Sequence, residues 1–198
     1  DTFIPPRRHP TEFGNIVFRR YLQSQRWLEN ATASADQQRF DRTMPLFKRF
    51  GEQYDLDPYL LAALGYQESR LDQSVRSPVG AIGVMQLLPA TGRRMDVGDI
   101  TRLEPNIHAG SRYLRLQVDG IAGSGLVDFN RVLLAIASYN GGQTRIRRLR
   151  REAADQGLDP DVWFHNVELT VAREIGLETV QFVRNIYRYY LVFRLREE

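Results

Sequence analysis

The sequence predicts an all-α fold, or one that is nearly all-α. Apolar residues recur every three or four positions over most of the chain, as they do on one face of an α-helix. Alternating apolar and polar residues, which are typical of half-buried strands, are scarce. The 198 residues are 42% hydrophobic and 26% charged, which is ordinary for a globular protein and sufficient for one domain with some additional helix.

The N-terminal part is expected to differ from the rest. Residues 1–12 are rich in proline and arginine and should be extended, whereas residues 13–30 have the apolar spacing of a helix. Residues 31–36 are small and polar, which indicates a break. We therefore expect residues 1–36 to form an extended and helical N-terminal segment and residues 37–198 to form the main domain.

Eight helices are predicted in the main domain. Pro58 and Pro89 each suit the first position of a helix, where the missing backbone N–H carries no cost. A small hairpin is expected near residues 75–87, where turn residues cluster. The predicted helices span residues 37–54, 57–69, 89–95, 106–118, 128–139, 143–156, 161–173 and 176–197.

The carboxyl group of Glu68 is the strongest candidate for a catalytic acid. Leu60 and Leu64 lie eight and four residues before it, on a helix that Asp57 can cap, so Glu68 is placed on the apolar face. Burial and the negative end of the helix dipole both disfavour the charged carboxylate. Such an acid would stay protonated near neutral pH, as a general acid requires. The spacing alone leaves open a solvated glutamate at a helix end, which is the commoner case.

The segment that follows Glu68 has the composition of a loop. Ser77-Pro78 and the glycines at 80 and 83 are turn signals, and a loop of this length is usually functional. Gln86 is a polar residue inside an apolar run. Two interpretations of it remain open: an amide that bridges loop backbone, or an amide that binds a substrate.

Two further candidates lie in the C-terminal half. Tyr139 ends an apolar run that begins at Val132, and this pattern favours a core ring with its hydroxyl at the rim. Glu178 shares the last predicted helix with a stripe, including Phe182 and Ile186, that is typical of a core face. The role of Glu178 stays open from the spacing.

The composition excludes several kinds of site. The chain has no cysteine, which excludes disulfides, thiol nucleophiles and zinc-thiolate sites. There is no stretch of eighteen apolar residues, so no transmembrane segment is expected in this chain. The three histidines are scattered and are interpreted as structural or solvated; they are His9, His108 and His165. Neither a metal nor a cofactor is expected.

The net charge of +3 is unevenly distributed. A dense arginine run is interpreted first as a solvated helix face and second as a surface that attracts an anionic polymer. Nucleic acid ranks last, because no nucleic-acid-binding motif accompanies the run. The run comprises Arg145, Arg147, Arg148, Arg150 and Arg151.

Four segments between about residues 55 and 192 carry a family signature in a fixed order. They are Glu68-Ser69 with Ser77-Pro78-Val79-Gly80-Ala81 and Gly83-Val84-Met85-Gln86-Leu87-Leu88-Pro89-Ala90-Thr91; Pro105-Asn106-Ile107-His108-Ala109-Gly110 with Tyr113-Leu114; Ala137-Ser138-Tyr139-Asn140-Gly141-Gly142; and Glu178-Thr179-Val180-Gln181-Phe182-Val183 with Ile186-Tyr187-Arg188-Tyr189-Tyr190. Together they resemble the catalytic domains of the soluble-lytic-transglycosylase type. The linking segments are similar to the membrane-bound lytic transglycosylase F branch of that family.

The resemblance implies a lysozyme-like fold with an additional N-terminal helical segment, and an enzyme that cleaves the glycan strands of bacterial peptidoglycan. It also implies that residues 37–198 are the catalytic domain. Residues 1–36 would then be a linker or a remnant next to a missing regulatory domain that senses muropeptides. The chain begins at Asp1 without a signal peptide, and we expect a fragment of a periplasmic protein associated with the outer membrane.

The resemblance further implies that Glu68 acts first as an acid and then as a base. It would cleave the bond between N-acetylmuramic acid and N-acetylglucosamine without water, giving a 1,6-anhydro product. Asp72 is expected to be a loop residue and not a second catalytic carboxylate. The residues implied to contact the substrate are Ser77, Gln86, Leu88, Tyr139, Asn140 and Glu178.

Some positions depart from the family pattern, and other functions remain open. Leu88 stands where methionine is frequent, Phe182 where tyrosine is commoner and Ser138 where alanine is usual. One alternative is a lysozyme-like hydrolase, which a second carboxylate across the cleft would favour. The other is a non-catalytic wall-binding module, against which the presence of Glu68 argues.

Overall fold

The computed structural model describes residues 34–122 and 128–195. Within these ranges the chain forms eight α-helices and no strand, which confirms the all-α prediction. The helices are α1 (Ser34–Tyr54), α2 (Pro58–Ser69), α3 (Pro89–Met95), α4 (Leu103–Asp119), α5 (Asp128–Gly141), α6 (Gln143–Asp155), α7 (Glu168–Ile175) and α8 (Leu177–Leu195). The predicted extended residues 1–12 and the predicted helix at 13–30 lie outside the described residues.

Proline determines where two of these helices begin. α2 and α3 start at Pro58 and Pro89, because a proline at the first position has its backbone angle already set for a helix. Asp57 adds an N-cap to α2: its carboxylate accepts a hydrogen bond of 2.8 Å from the backbone N–H of Tyr59.

Several predicted boundaries differ from the structure, and residues 34–36 of the predicted break are already helical, because α1 begins at Ser34. α4 begins three residues before the predicted start, and its N-cap Arg102 makes no side-chain capping bond that the sequence could have revealed. The predicted helix at 161–173 is divided into a π-helical turn, Trp163–Val167, and α7, because His165 has a left-handed φ of 60°. The predicted hairpin is reduced to two isolated bridges, which pair Ile82 with Arg76 and with Leu87.

α2 is the central helix of the core. Its side chains are buried from Tyr59 through Tyr66, and it packs chiefly against α8 and α1. The prediction of a single apolar face on α2 is therefore too narrow. Residues on all sides of this helix are buried, and a helix in that position is apolar all round. Leu61, Leu64 and Phe47 of α1 are fully buried, and Phe193 of α8 exposes only 1% of its surface.

The arginine run on α6 is only partly a solvated face. Arg150 is buried, and its guanidinium donates hydrogen bonds of 2.8 Å to the carbonyl oxygens of Pro160 and Ala122 and pairs with Asp161. These bonds tie α6 to the segment that follows α4 and to the segment that follows α6 itself. Arg145, Arg147 and Arg151 are exposed, as the solvated-face interpretation expects.

Candidate active site

Glu68 lies in the last turn of α2, at the point where this buried helix meets the following loop. Its side chain is half-buried. Burial raises the pKa of the Glu68 carboxyl group from its ordinary value of 4.5 to about 8, because water can no longer stabilise the charged form. A carboxyl group with this pKa is mostly protonated at neutral pH, which a proton donor requires.

The backbone turns sharply after Glu68. Arg70 caps α2 in the left-handed conformation (φ 55°, ψ 37°), and its N–H donates to the carbonyl oxygen of Tyr66 at 2.8 Å. Leu71 is also left-handed, with φ 61°. Ser69 fixes the turn from inside, since its hydroxyl donates to the carbonyl oxygen of Val84 at 2.9 Å and accepts from the N–H of Asp72 at 3.2 Å.

Ser77 closes a tight turn in the loop. Its N–H donates to the carbonyl oxygen of Ala81 at 3.0 Å, and its hydroxyl oxygen accepts from the N–H of Ala81 at 2.9 Å. Gly80 occupies the left-handed region within this turn, at φ 86°. The Ser77 hydroxyl uses its oxygen as the acceptor in this bond, so its own proton can be donated to another group.

Gln86 bridges loop backbone, as the first of its two interpretations expects. Its amide nitrogen donates to the carbonyl oxygens of Gly83 at 2.9 Å and Val75 at 3.4 Å. Its backbone has a left-handed φ of 42°. Because these bonds involve only the amide nitrogen, the amide oxygen of Gln86 is not committed to them.

Tyr139 reaches the same loop from α5. Its ring is buried, and its hydroxyl donates a hydrogen bond of 2.8 Å to the carbonyl oxygen of Met85. Burial raises the pKa of Tyr139 well above its ordinary value, and the negative charge of Glu68 raises it further. The bond to Met85, the neighbour of Gln86, places the Tyr139 hydroxyl at the loop that follows Glu68.

The remaining predicted site residues are exposed. Leu88, just before α3, exposes 46% of its surface. Asn140 follows Tyr139, and its side-chain oxygen accepts a hydrogen bond of 2.8 Å from Thr179. Glu178, beside Thr179 in the first turn of α8, is exposed. The Asn140–Thr179 bond nevertheless holds the first turn of α8 against the end of α5.

Asn106 and Gln73 hold the loop in place, and neither was a candidate from the sequence. Asn106 is fully buried in α4; it accepts from the N–H of Met85 at 2.8 Å and donates to the carbonyl oxygens of Ile82 at 2.8 Å and Ile100 at 2.9 Å. Gln73 accepts from the N–H of Val84 at 3.1 Å. A buried asparagine on an otherwise apolar helix face was the available signal, since such a group must find hydrogen-bond partners.

Asp72 is a loop residue, as expected. Its carboxylate accepts hydrogen bonds from the N–H of Ser74 at 2.9 Å and from the Ser74 hydroxyl at 2.6 Å, and it pairs with Arg39 at 3.2 Å. The hydrogen bonds from Ser74, with a contribution from Arg39, hold the pKa of Asp72 below its usual range. Asp72 is therefore ionised and engaged within the loop.

Two other kinds of feature are absent from the described part of the chain. Residues 34–122 and 128–195 contain no group of three or more histidine, cysteine, aspartate or glutamate side chains arranged to hold a metal ion. In the same ranges, no helix is both long enough and apolar enough to cross a membrane.

The chain is similar to several known proteins. Residues 45–161 match the family model of the transglycosylase SLT domain. Membrane-bound lytic murein transglycosylase F of Mannheimia succiniciproducens is 32% identical, over 91% of this chain and 37% of the relative. The protein of that name from Vibrio cholerae is 34% identical, over 77% of this chain and 31% of the relative. The chain thus spans about a third of the length of these relatives.

Two solved structures share the fold. The 70 kDa soluble lytic transglycosylase SLT70 of Escherichia coli superposes with a TM-score of 0.62 at 25% identity, over 77% of this chain and 24% of that one. An inactive mutant of the lytic transglycosylase Slt of Pseudomonas aeruginosa superposes with a TM-score of 0.59 at 23% identity, over 92% of this chain and 29% of that one. These similarities agree with the predicted lysozyme-like fold.

The family match covers more than half of the chain and includes most of the candidate site. Glu68, Ser77, Gln86, Leu88 and the Tyr139-Asn140 pair all fall within residues 45–161, and Glu178 lies beyond them. The family model and the two solved folds agree with the segments on which the resemblance was based. The chain belongs to the transglycosylase SLT domain family of lytic transglycosylases.

Proposed function

We propose that this domain cleaves peptidoglycan between N-acetylmuramic acid and N-acetylglucosamine without water, leaving 1,6-anhydro ends. The observation that carries the proposal is the half-buried Glu68 carboxyl group with a pKa of about 8. One residue of this pKa can donate a proton and then accept one near neutral pH. The names of the relatives, which are lytic murein transglycosylases, support the choice of substrate.

In the first step, protonated Glu68 gives its proton to the glycosidic oxygen as the bond from that oxygen to C1 of the muramic sugar breaks. The 2-acetamido oxygen of the same sugar attacks C1 and carries the positive charge that would otherwise need a second carboxylate. In the second step, anionic Glu68 removes the proton of the C6 hydroxyl, and the C6 oxygen displaces the acetamido oxygen from C1. Glu68 is protonated again, and the anhydro ring is closed.

The surrounding residues are assigned to binding. Ser77 donates its hydroxyl proton to the substrate, and the Gln86 amide oxygen accepts a hydrogen bond from the sugar. The buried Tyr139 hydroxyl supports the loop at Met85. The exposed Leu88 offers an apolar contact to a sugar face. Asn140 and Glu178, which the Asn140–Thr179 bond places at adjoining helix ends, contact more distant sugars.

The full-length protein is proposed to act in the periplasm, associated with the outer membrane. The names of the relatives describe membrane-bound enzymes, and this chain spans only about a third of their length. The rest of such a protein would have room for a regulatory domain that senses muropeptides, in addition to the catalytic domain.

Digestion of purified sacculi tests the proposal. Mass analysis of the released fragments should show anhydro-muropeptides, each one water lighter than the corresponding product of hydrolysis. Fragments that carry reducing ends alone would instead indicate a lysozyme-like hydrolase. No fragments at all would indicate a wall-binding module. Glu68→Gln should bind sacculi and release nothing, and continued release by this variant would remove Glu68 from its role.

A further inference from the structure

A buried carboxylate outside the proposed catalytic machinery lies next to the helix that carries Glu68. Asp36, in the first turn of α1, exposes only 2% of its surface. Its Oδ2 atom accepts hydrogen bonds from the Tyr66 hydroxyl at 2.7 Å and from Nε of Arg70 at 3.1 Å, and Nη2 of Arg70 also bonds to it. Its Oδ1 atom accepts from Arg39 at 2.9 Å. One carboxylate thus joins α1 to both sides of Glu68.

The two partners on α2 flank Glu68 symmetrically. Tyr66 lies two residues before Glu68, and Arg70 lies two residues after it. Arg70 is also the left-handed cap that ends the helix, a conformation that a non-glycine residue adopts only when its surroundings hold it. Because Asp36 binds the side chain of the cap, a movement of Asp36 would be transmitted to the turn in which Glu68 lies.

The same cluster extends to the loop and to α8. Arg39, which pairs with Asp36, also reaches the Asp72 carboxylate at 3.2 Å, four residues after Glu68. The Tyr66 ring packs edge-on against Tyr189 of α8, with ring centroids 4.7 Å apart. Asp36 is therefore linked to the loop through Arg39 and to α8 through Tyr66.

We propose that Asp36 is a positioning residue for Glu68, clamping the last turn of α2 through Tyr66 and Arg70. The inference rests on the proposed catalytic role of Glu68. It also assigns a function to the end of the N-terminal segment, because Asp36 is the last residue of the stretch that the sequence marked as a break. Asp36 does not touch the substrate; it acts through the placement of the acid.

Steady-state kinetics on sacculi, with release of anhydro-muropeptides as the signal, tests this role. Asp36→Asn and Arg70→Ala should each lower the apparent kcat by about tenfold or more, because small displacements of a catalytic group are costly. The apparent KM should stay within about twofold of the wild-type value, because substrate-binding groups are unchanged. The double variant should lose little more than the worse single variant, because the two side chains act as one unit.

A matched control separates positioning from stability. Arg150→Met disrupts a comparable buried ion pair on α6, away from α2, and should lower the melting temperature without lowering kcat. If Asp36→Asn does not fold, Arg70→Ala and Tyr66→Phe still decide the question, since the Arg70 side chain is half-exposed and Tyr66→Phe removes only a hydroxyl.

Three outcomes would overturn the inference. The first is an unchanged kcat in the folded Asp36 and Arg70 variants while Glu68→Gln is inactive. That result would contradict the positioning role of Asp36 but not the proposed function. The second is an equal loss of kcat in Arg150→Met at an equal loss of melting temperature, which would make the effect one of stability. The third is activity in Glu68→Gln, which would remove the proposed function as well.

Discussion

At the scale of single residues, one carboxyl group accounts for both the proposed chemistry and a cost in stability. Glu68 has a raised pKa because the fold buries it at the end of an apolar helix. The unfolded chain would ionise this group near its ordinary pKa of 4.5, whereas the folded chain keeps it protonated up to about pH 8. Between these values, folding must retain a proton that the unfolded state releases, so stability falls as pH rises.

Glu68→Gln should therefore stabilise the protein in a pH-dependent way. Below about pH 4.5 the variant and the wild type should have similar free energies of unfolding, because both side chains are neutral in both states. The difference should grow up to about pH 8 and reach on the order of 3 kcal/mol, since each pKa unit corresponds to about 1.4 kcal/mol and some hydration of Glu68 remains. Urea unfolding at several pH values measures it, and a difference independent of pH would contradict the expectation.

The same pKa predicts the basic limb of the activity profile. Because the free enzyme must carry a protonated Glu68, kcat/KM should fall about tenfold for each pH unit above about 8. Rates of fragment release between pH 5 and 10, in steps of about half a unit, give the midpoint. Asp119→Asn, which changes an exposed carboxylate on α4, should leave the midpoint in place. A midpoint near 4.5 would show that burial does not tune the acid.

At the scale of elements, α4 acts as the support for the loop after α2. Asn106 bonds the backbone of that loop at Met85 and Ile82. Gly110 allows Met85 to approach the helix, since a Cβ atom at Gly110 would lie 2.6 Å from the Cβ of Met85. The carbonyl oxygen of Met85 in turn accepts a hydrogen bond from the Tyr139 hydroxyl. The position of the proposed sugar-binding loop is thus set by α4 as well as by α2.

Asn106→Ala should impair both stability and activity. The change leaves the buried N–H of Met85 without its acceptor, and we expect a loss of about 2–3 kcal/mol in the free energy of unfolding together with slower fragment release. Ser111→Ala is the matched control: Ser111 is equally buried on α4, but its hydroxyl bonds only to the carbonyl oxygen of Ile107 in the same helix. Equal losses of activity in the two variants would contradict the role of Asn106.

At the scale of the whole molecule, the fold depends on a helix that lies beyond the family match. The match ends at residue 161, yet α8 packs against α2 and buries Val183, Ile186 and Phe193. The Tyr190 hydroxyl also donates to the Asp57 carboxylate at 3.1 Å, near the start of α2. The helix that carries Glu68 would lose one side of its surroundings without α8.

Removal of α8, by ending the chain at residue 176, should abolish cooperative folding. The truncated chain should show no thermal transition by circular dichroism and should release no fragments from sacculi, because the apolar surface of α2 would be exposed to water. Leu195→Ser, at an exposed position at the end of α8, should change stability by less than about 0.5 kcal/mol. A cooperative transition in the truncated chain would show that the shorter unit folds alone.

The sequence predicted those features that depend on local chemistry. The starts of α2 and α3 follow from Pro58 and Pro89, and the placement of Glu68 on a buried helix end follows from the preceding leucines. The contacts of Asp36 could not be predicted, because Tyr66 and Arg70 lie 30 and 34 residues away along the chain. The exposure of Glu178 likewise depends on tertiary packing, which spacing does not encode. The bridging amide of Gln86 was one of two interpretations that the sequence left open, and its contacts with Gly83 and Val75 lie within the same loop.

Titration of the Glu68 carboxyl group would reveal whether this fold keeps the acid protonated at neutral pH. Carbon-detected NMR of the protein labelled in glutamate side chains would follow each carboxyl signal with pH, and Glu68→Gln would identify the signal that belongs to Glu68. We expect a midpoint of about 8 for this signal. A midpoint close to the ordinary value of 4.5 would contradict it.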